Sequence, residues 1–357
     1  MQKKRTHINS LDGIRAVAVM LVFVAHAGYS HIIPGGFGVT VFFFLSGYLI
    51  TTLMRLEFED SGTICFKSFY LRRVYRIFPP LYIVLLLGLV IGFSGAIPHN
   101  ITLEATTSQF FHATNYYSIF AGNKNFIPGT NVLWSLAVEE HYYLLFPVAY
   151  LFLIKRLNLK QLAVVLAFFC LLVLFWRCYL VFEVHSLKLR TYASTDTRID
   201  SIMFGCIMGA CVNPVLDKDI VKSEQSKVYL LAASAGILLF CFLYRSPEFR
   251  QSFRYTCQGI ALFPIFYLAI LRNNWLIFRW LSWKPVKALG LISFTFYLSH
   301  MIIIQVVNFY FDRSVLENLC LAFIATVMFS TIMYILVERQ MALLRNKLHV
   351  KNKQSSV

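Results

Sequence analysis

The chain has 357 residues, of which 58% are hydrophobic and only 14% charged, with a formal net charge of +16. Soluble domains carry about a quarter charged residues, so a mean hydropathy of +0.64 excludes an ordinary soluble fold and puts most of the chain in lipid. The basic excess is not a nucleic-acid footprint either, because Lys and Arg sit in short segments between apolar runs, as in the cytoplasmic loops of membrane proteins.

A transmembrane helix needs about 20 mostly apolar residues. That rule predicts ten spans, near 12–30, 36–54, 77–95, 132–154, 162–182, 198–213, 228–244, 254–271, 288–309 and 316–337. With the amino terminus inside, 23 Lys and Arg fall in cytoplasmic segments, 7 outside (counting Arg254, the first residue of its span, with the outer segment) and three (Arg15, Arg177, Arg198) within spans. This bias sets orientation. The expected fold is therefore an all-α polytopic membrane protein of about ten transmembrane helices with both termini cytoplasmic. One membrane domain is expected over 1–345 and a basic cytoplasmic tail over 346–357; segment 96–131 is the longest expected outer loop, polar, aromatic and Gly-rich.

Lys3, Lys4 and Arg5 precede an apolar run ending in Ala25-His26-Ala27, which mimics a signal-peptidase site; Asp12 and Arg15 interrupt the run and argue for retention. Arg15 and His26 are eleven residues apart, about three turns and 16 Å along one helical face. Ionisable groups inside membrane helices are costly and mark function, although a snorkelling Arg15 and a hydrogen-bonded structural His26 explain the pair equally well.

In FFFLSGYLI, Ser46-Gly47 lets helices approach closely, which favours a packing role. The segment FKSFYLRRVYRIFPPLY carries Arg73 and Arg76 at i,i+3, on one helical face, where guanidinium forks suit phosphates. Glu139 and Glu140 in WSLAVEEHYYLLFP point about 100° apart on a helix. In TDTRIDSIMFG, Asp196, Arg198 and Asp200 can pair among themselves or contact substrate. ISFTFYLSH sets Tyr297 and His300 at i,i+3, and Glu338 of YILVER can pair with a cytoplasmic Arg. The eight Cys form no CxxC pair, and no His/Cys/Asp set has metal-ligand spacing, so neither a disulfide framework nor a metal is expected.

Taken in order, LDGIRAVAVMLVFVAH, FFFLSGYLI, RRVYRIFPP, WSLAVEEHYYLLFP, TRIDSIMFG, ISFTFYLSH and YILVER resemble the motifs of the acyltransferase-3 family of membrane O-acyltransferases, over about residues 10 to 340. The resemblance implies a bacterial inner-membrane enzyme, multi-pass, that acylates carbohydrates of the cell envelope from acyl-CoA. By family frequency it implies acetyl transfer from acetyl-CoA to lipopolysaccharide O-antigen. It carries essential roles onto Arg15 and His26, matches Arg73 and Arg76 to the family's Arg-x-x-Arg, and picks Glu139 rather than Glu140 as the matched carboxylate. Many relatives append a secreted hydrolase-like domain, and fewer than 20 residues follow YILVER here. Transfer is then expected to finish in the membrane domain or on a separate protein. Glu338-Arg339-Gln340 also departs from the Glu-Arg-Pro common among relatives.

On this reading Arg73 and Arg76, helped by Arg15, hold the phosphates of the co-substrate acyl-CoA, with no bound cofactor. His26 acts as general base or as an acyl-imidazole carrier, and Glu139 orients it or binds the sugar. The expected partners are the bilayer, acyl-CoA and an envelope polysaccharide. A transporter or flippase for an envelope glycan explains ten spans and intramembrane charge equally well, but not the motif order.

The topology makes a direct forecast. In a chain stripped of its own cysteines, Cys at Asn123 will react with an impermeant thiol reagent in intact cells and Cys at Glu59 will not; the reverse labelling pattern overturns the orientation.

Overall fold

The computed structural model describes residues 8–122 and 124–345; Lys3, Lys4, Arg5, Asn123 and the tail expected over 346–357 lie outside them. The described residues form helices and connecting turns. In chain order the α-helices are α1 (Asn9–Val24), α2 (Gly35–Ser61), α3 (Phe66–Phe93), α4 (Leu103–Phe110), α5 (Thr114–Ala121), α6 (Trp134–Ile154), α7 (Leu159–Phe182), α8 (Lys188–Ala193), α9 (Thr195–Cys211), α10 (Glu224–Leu243), α11 (Pro247–Gln251), α12 (Phe253–Leu271), α13 (Leu276–Arg279), α14 (Lys284–Leu291), α15 (Ser293–Tyr310) and α16 (Val315–Met333).

Eight of these, with short helical extensions, are long and apolar enough to cross a membrane, and nine if α14 and α15 count as one broken span. The tenth expected span, 198–213, is the 17-residue α9, whose Arg198 and Asp200 are fully buried in protein. Its charges and short length set it apart from its lipid-crossing neighbours. Helix starts follow local chemistry: Asn158 with Gln161 and Ser314 with Glu317 form capping boxes at α7 and α16, satisfying amide groups that a helix start leaves unpaired. The basic segment before Pro79-Pro80 is helical, as the i,i+3 spacing of its arginines requires. It is the first three turns of α3, which runs unbroken through both prolines.

The helices fall into two compact units, each assembled from three stretches of chain. The first holds 1–22, 34–56 and 152–291. Its core packs Phe44 and Tyr48 of α2 against Phe204 and Met208 of α9 and Phe266 of α12. The crossing of α2 and α9 rests on two reciprocal glycines. A Cβ at Gly47 would strike the carbonyl oxygen of Ile202, and one at Gly205 would strike that of Phe44. Small residues let helix backbones touch where lipid supplies no hydrophobic drive. On α7, Val164, Phe168, Leu171 and Phe175 form an exposed stripe, while Leu166, Cys170 and Arg177 are buried. One face meets lipid and the other carries a charge into the protein.

The second unit holds 23–33, 57–151 and 292–357. This unit contains the expected outer loop 96–131. It folds back along α3 as a helical hairpin, with α4 leading in and α5 leading out. Descending α3, Gly92 meets Ile101, Gly88 meets Ile127, Tyr82 stacks on Phe110 at 5.4 Å, and Phe78 stacks on His112 at 5.5 Å. Fourteen helical residues separate Gly92 from Phe78, so the tip reaches back about 21 Å. Its polar groups are largely satisfied inside the protein. Gln109 donates to Thr130 and accepts from the Ile127 amide, and Thr102 caps α4. Irregular backbone at membrane depth is tolerated only under such cover. Gly129, at φ +69°, lets the segment before α6 touch the α15 backbone at Met301 and Ile302.

The glycine crossing gives a stability forecast. Gly205→Leu has no flexible neighbour to displace, only backbone, and should cost at least the roughly 1–3 kcal/mol typical of overpacking. Thermal unfolding in detergent should show a clear drop in midpoint, with Gly236→Leu, which faces open space, as the neutral control.

Candidate active site

The carboxyl end of α1 is shaped for a side chain. Ala27 and Gly28 leave helical geometry, and Gly28 adopts φ +112°, a conformation that glycine takes without strain. This ends the helix as a left-handed residue commonly does. A side chain at Gly28 would also meet Val315 at 2.8 Å. Ala25 and Ala27 are buried, while His26 between them is exposed in the last turn. Phe23, one turn earlier and fully buried, packs edge-on against Phe296 and Phe323 at ring distances of 5.4 and 5.8 Å.

His26 does not stand alone. Its ring lies 5.2 Å from that of His300, tilted by 26°, and its Nδ1 is 3.0 Å from His300 Nε2. His300 is fully buried, and its Nδ1 lies 2.6 Å from the carbonyl oxygen of Tyr297. The Tyr297 phenol donates to the Val132 carbonyl at 2.9 Å and is 2.6 Å from the Ser135 hydroxyl, which fastens α15 to the start of α6. Three predicted positions, His26, Tyr297 and His300, thus form one chain of polar contacts. Its open end is Nε2 of an exposed imidazole. The imidazole that bonds His26 is His300. Glu139 instead accepts a hydrogen bond from Tyr143 at 3.1 Å.

The predicted arginines divide by environment. Arg73 is half-buried, with its guanidinium 3.9 Å above Phe69 and 4.9 Å from the Tyr143 ring. Among the described residues its buried Nε has no hydrogen-bond partner, and neither does buried Oε1 of Glu140, which lies within electrostatic reach of Arg73. Arg76 is exposed, in reach of Glu338, whose carboxylate accepts from Thr295 at 2.5 Å. Arg72 is taken by Glu57 at 3.2 Å and Ser68 at 2.6 Å. The i,i+3 spacing therefore gives Arg73 and Arg76 different surroundings, because Phe69 and Tyr143 cover only the first.

The remaining predicted residues belong to the other unit. Arg15 pairs with Asp12 at 2.9 Å. Ser46 is half-buried beside Gly47 on α2. Asp196, Arg198 and Asp200 each have partners outside the run. Asp196 pairs with Arg190 at 2.5 Å and accepts from Trp176 at 2.7 Å. Asp200 pairs with Arg177 at 2.8 Å, both fully buried. Arg198 donates to the Tyr192 carbonyl at 3.0 Å and Thr40 at 3.1 Å, and lies 4.1 Å over the Tyr255 ring. Arg177 also donates to Ser252 and Thr197 carbonyls and the Thr256 hydroxyl. The sequence reading gave Arg177 no role, although a charge inside an apolar run was the available signal.

The chain belongs to the acyltransferase-3 family: residues 8–338 match its acyltransferase domain. It is 29% identical over 318 residues to the O-acetyltransferase OatA of Staphylococcus aureus (strain NCTC 8325 / PS 47), covering 85% of this chain and 52% of that protein. Against the peptidoglycan O-acetyltransferase OatA of Listeria monocytogenes it is 31% identical over 312 residues, covering 84% of this chain and 50% of that one. The chain thus spans about half the length of these relatives. No solved structure matches it.

The buried Arg177–Asp200 pair separates structural from chemical charge. Arg177→Met leaves Asp200 buried and unpaired and should cost about 3–5 kcal/mol, whereas Arg177→Met with Asp200→Leu should recover most of it. Thermal melting of the two variants checks this. Equal melting temperatures for the single and double variants would contradict a structural ion pair.

Proposed function

We propose that the protein is a membrane O-acyltransferase that moves an acetyl group from cytoplasmic acetyl-CoA to a hydroxyl of an extracytoplasmic envelope glycan. It would reside in the bacterial inner membrane with both termini inside. Membership of the acyltransferase family and the O-acetyltransferase names of its relatives support this reading. The observation that carries it is His26. This imidazole is exposed, held through Nδ1 by a buried partner, and has Nε2 open to a reacting hydroxyl.

In this scheme the CoA phosphates are met by Arg73 and Arg76. Arg73 brings a guanidinium pre-oriented on two aromatic rings, which lowers the entropy lost when a phosphate is gripped. Arg76 brings an exposed one. Nε2 of His26 takes the proton of the acceptor hydroxyl as its oxygen attacks the thioester carbon. The carbon–sulfur bond breaks, and the proton passes from Nε2 to the departing thiolate. The imidazolium formed on the way lies in the helical turn Ala25–Tyr29 that extends α1, where helix carbonyls favour a cation. Glu139, tied to Tyr143, is assigned to the sugar.

Acceptor chemistry is shared by two glycans. The Listeria relative's name points to peptidoglycan, while O-antigen also presents sugar hydroxyls. Cells fed isotopically labelled acetate, with peptidoglycan and lipopolysaccharide analysed separately by mass spectrometry, will show which gains the ester. His26→Ala and His26→Gln should both lose the label by about 10²-fold or more while still inserting at normal level, since Gln keeps bulk and hydrogen bonding but cannot titrate. Substantial esterification by a well-expressed His26→Gln variant would sink the assignment, and loss of the whole glycan in a deletion strain would favour transport.

A further inference from the structure

We infer that His300 is a positioning residue that sets the tautomer of His26 and thereby keeps Nε2 of His26 available as the base. The inference rests on the reading of His26 proposed above. It follows from what each contact atom can do. The Tyr297 carbonyl oxygen, 2.6 Å from Nδ1 of His300, has no proton to give. A neutral His300 therefore carries its proton on Nδ1 and its lone pair on Nε2. That lone pair faces Nδ1 of His26 at 3.0 Å. The contact is a hydrogen bond only when His26 carries its own proton on Nδ1; the other tautomer sets two lone pairs against each other. The lone pair of His26 is then on Nε2, away from the buried partner.

The surroundings hold this arrangement in place. Full burial fixes the His300 ring, with Phe23 edge-on at 6.5 Å and Tyr297 on the same helical face at 5.6 Å. The Tyr297 phenol is itself tied to Val132 and Ser135. His300 touches no reacting atom. As the acceptor O–H bond breaks and Nε2–H forms on His26, the Nδ1–H bond to His300 receives part of the new positive charge. When the C–S bond breaks and Nε2 returns its proton to the sulfur, the original tautomer is restored. His300 keeps its own proton throughout. The role matches that of a carboxylate behind a catalytic histidine, where loss of the correct tautomer lowers turnover by about 10⁴.

The test uses the full-length chain in lipid nanodiscs with ¹⁵N-labelled histidine, His26 being assigned by difference against His26→Gln among the nine histidines. The expected spectrum has His26 protonated at Nδ1 and bare at Nε2, and this pattern is lost in His300→Phe. In acetyl transfer, His300→Phe should lower kcat by about 10²–10⁴ with KM for the donor within about twofold. His300→Gln, whose side-chain oxygen accepts from Nδ1–H, should regain about tenfold or more. Finding wild-type His26 protonated at Nε2 would overturn the inference without any variant needing to fold. So would a His300→Phe enzyme within about threefold of wild-type kcat while His26→Gln is dead. An active His26→Gln enzyme would instead remove the base reading itself.

Discussion

A polar group surrounded by hydrocarbon has no water to fall back on, so a buried charge or ring nitrogen is stabilised chiefly by partners within the protein. That constraint organises both units. In the first, Arg177 spends its guanidinium on Asp200, two carbonyls and a threonine, and Arg198 spends its own on a carbonyl, a hydroxyl and an aromatic face. In the second, His300 uses both ring nitrogens, one on a carbonyl and one on His26. Among the described residues His26 uses only one. The rule that closes His300 leaves this imidazole half open, because its second nitrogen lies on an exposed side chain.

Close backbone approach is the second device. Gly47 and Gly205 stand where the backbones of α2 and α9 meet and Gly129 where the chain meets α15, while Gly88 and Gly92 make room for the Ile127 and Ile101 side chains of the returning hairpin. Each contact brings a polar or irregular segment under cover of a helix. The hairpin depends on this most. Its two helices have eight residues each, too short to be stable alone, and they persist by packing on α3 and bonding through Gln109 to the segment before α6.

Much of this was legible in the sequence, and the remainder follows a pattern. Apolar runs located the long spans, because a lipid-facing helix is hydrophobic over its whole length. The i,i+3 spacing of Tyr297 and His300 and the intramembrane position of His26 marked the residues that meet. Their meeting was not readable, since a hydrogen bond across 274 residues of chain leaves no local trace. Segment 96–131 reads as an outer loop because its composition is polar, and only its contacts with Phe78 and Tyr82 reveal the hairpin. Arg73 and Arg76 looked equivalent by spacing. Phe69 and Tyr143 separate them, and Tyr143 comes from another helix. Spans and candidate residues are properties of local sequence; partners belong to the tertiary structure.

The threading of the second unit also bears on how the protein is made. Its three stretches are 23–33, 57–151 and 292–357, so the segment carrying His26 leaves the ribosome long before the segment carrying His300. Throughout that interval Nδ1 of His26 lacks its ring partner, and the hairpin lacks the α15 backbone that Gly129 touches. Contacts of such long sequence separation form late and slowly. Membrane insertion therefore precedes assembly of the site by most of a chain length, and the nascent protein passes through a long stage in which its spans are in place and its chemistry is not.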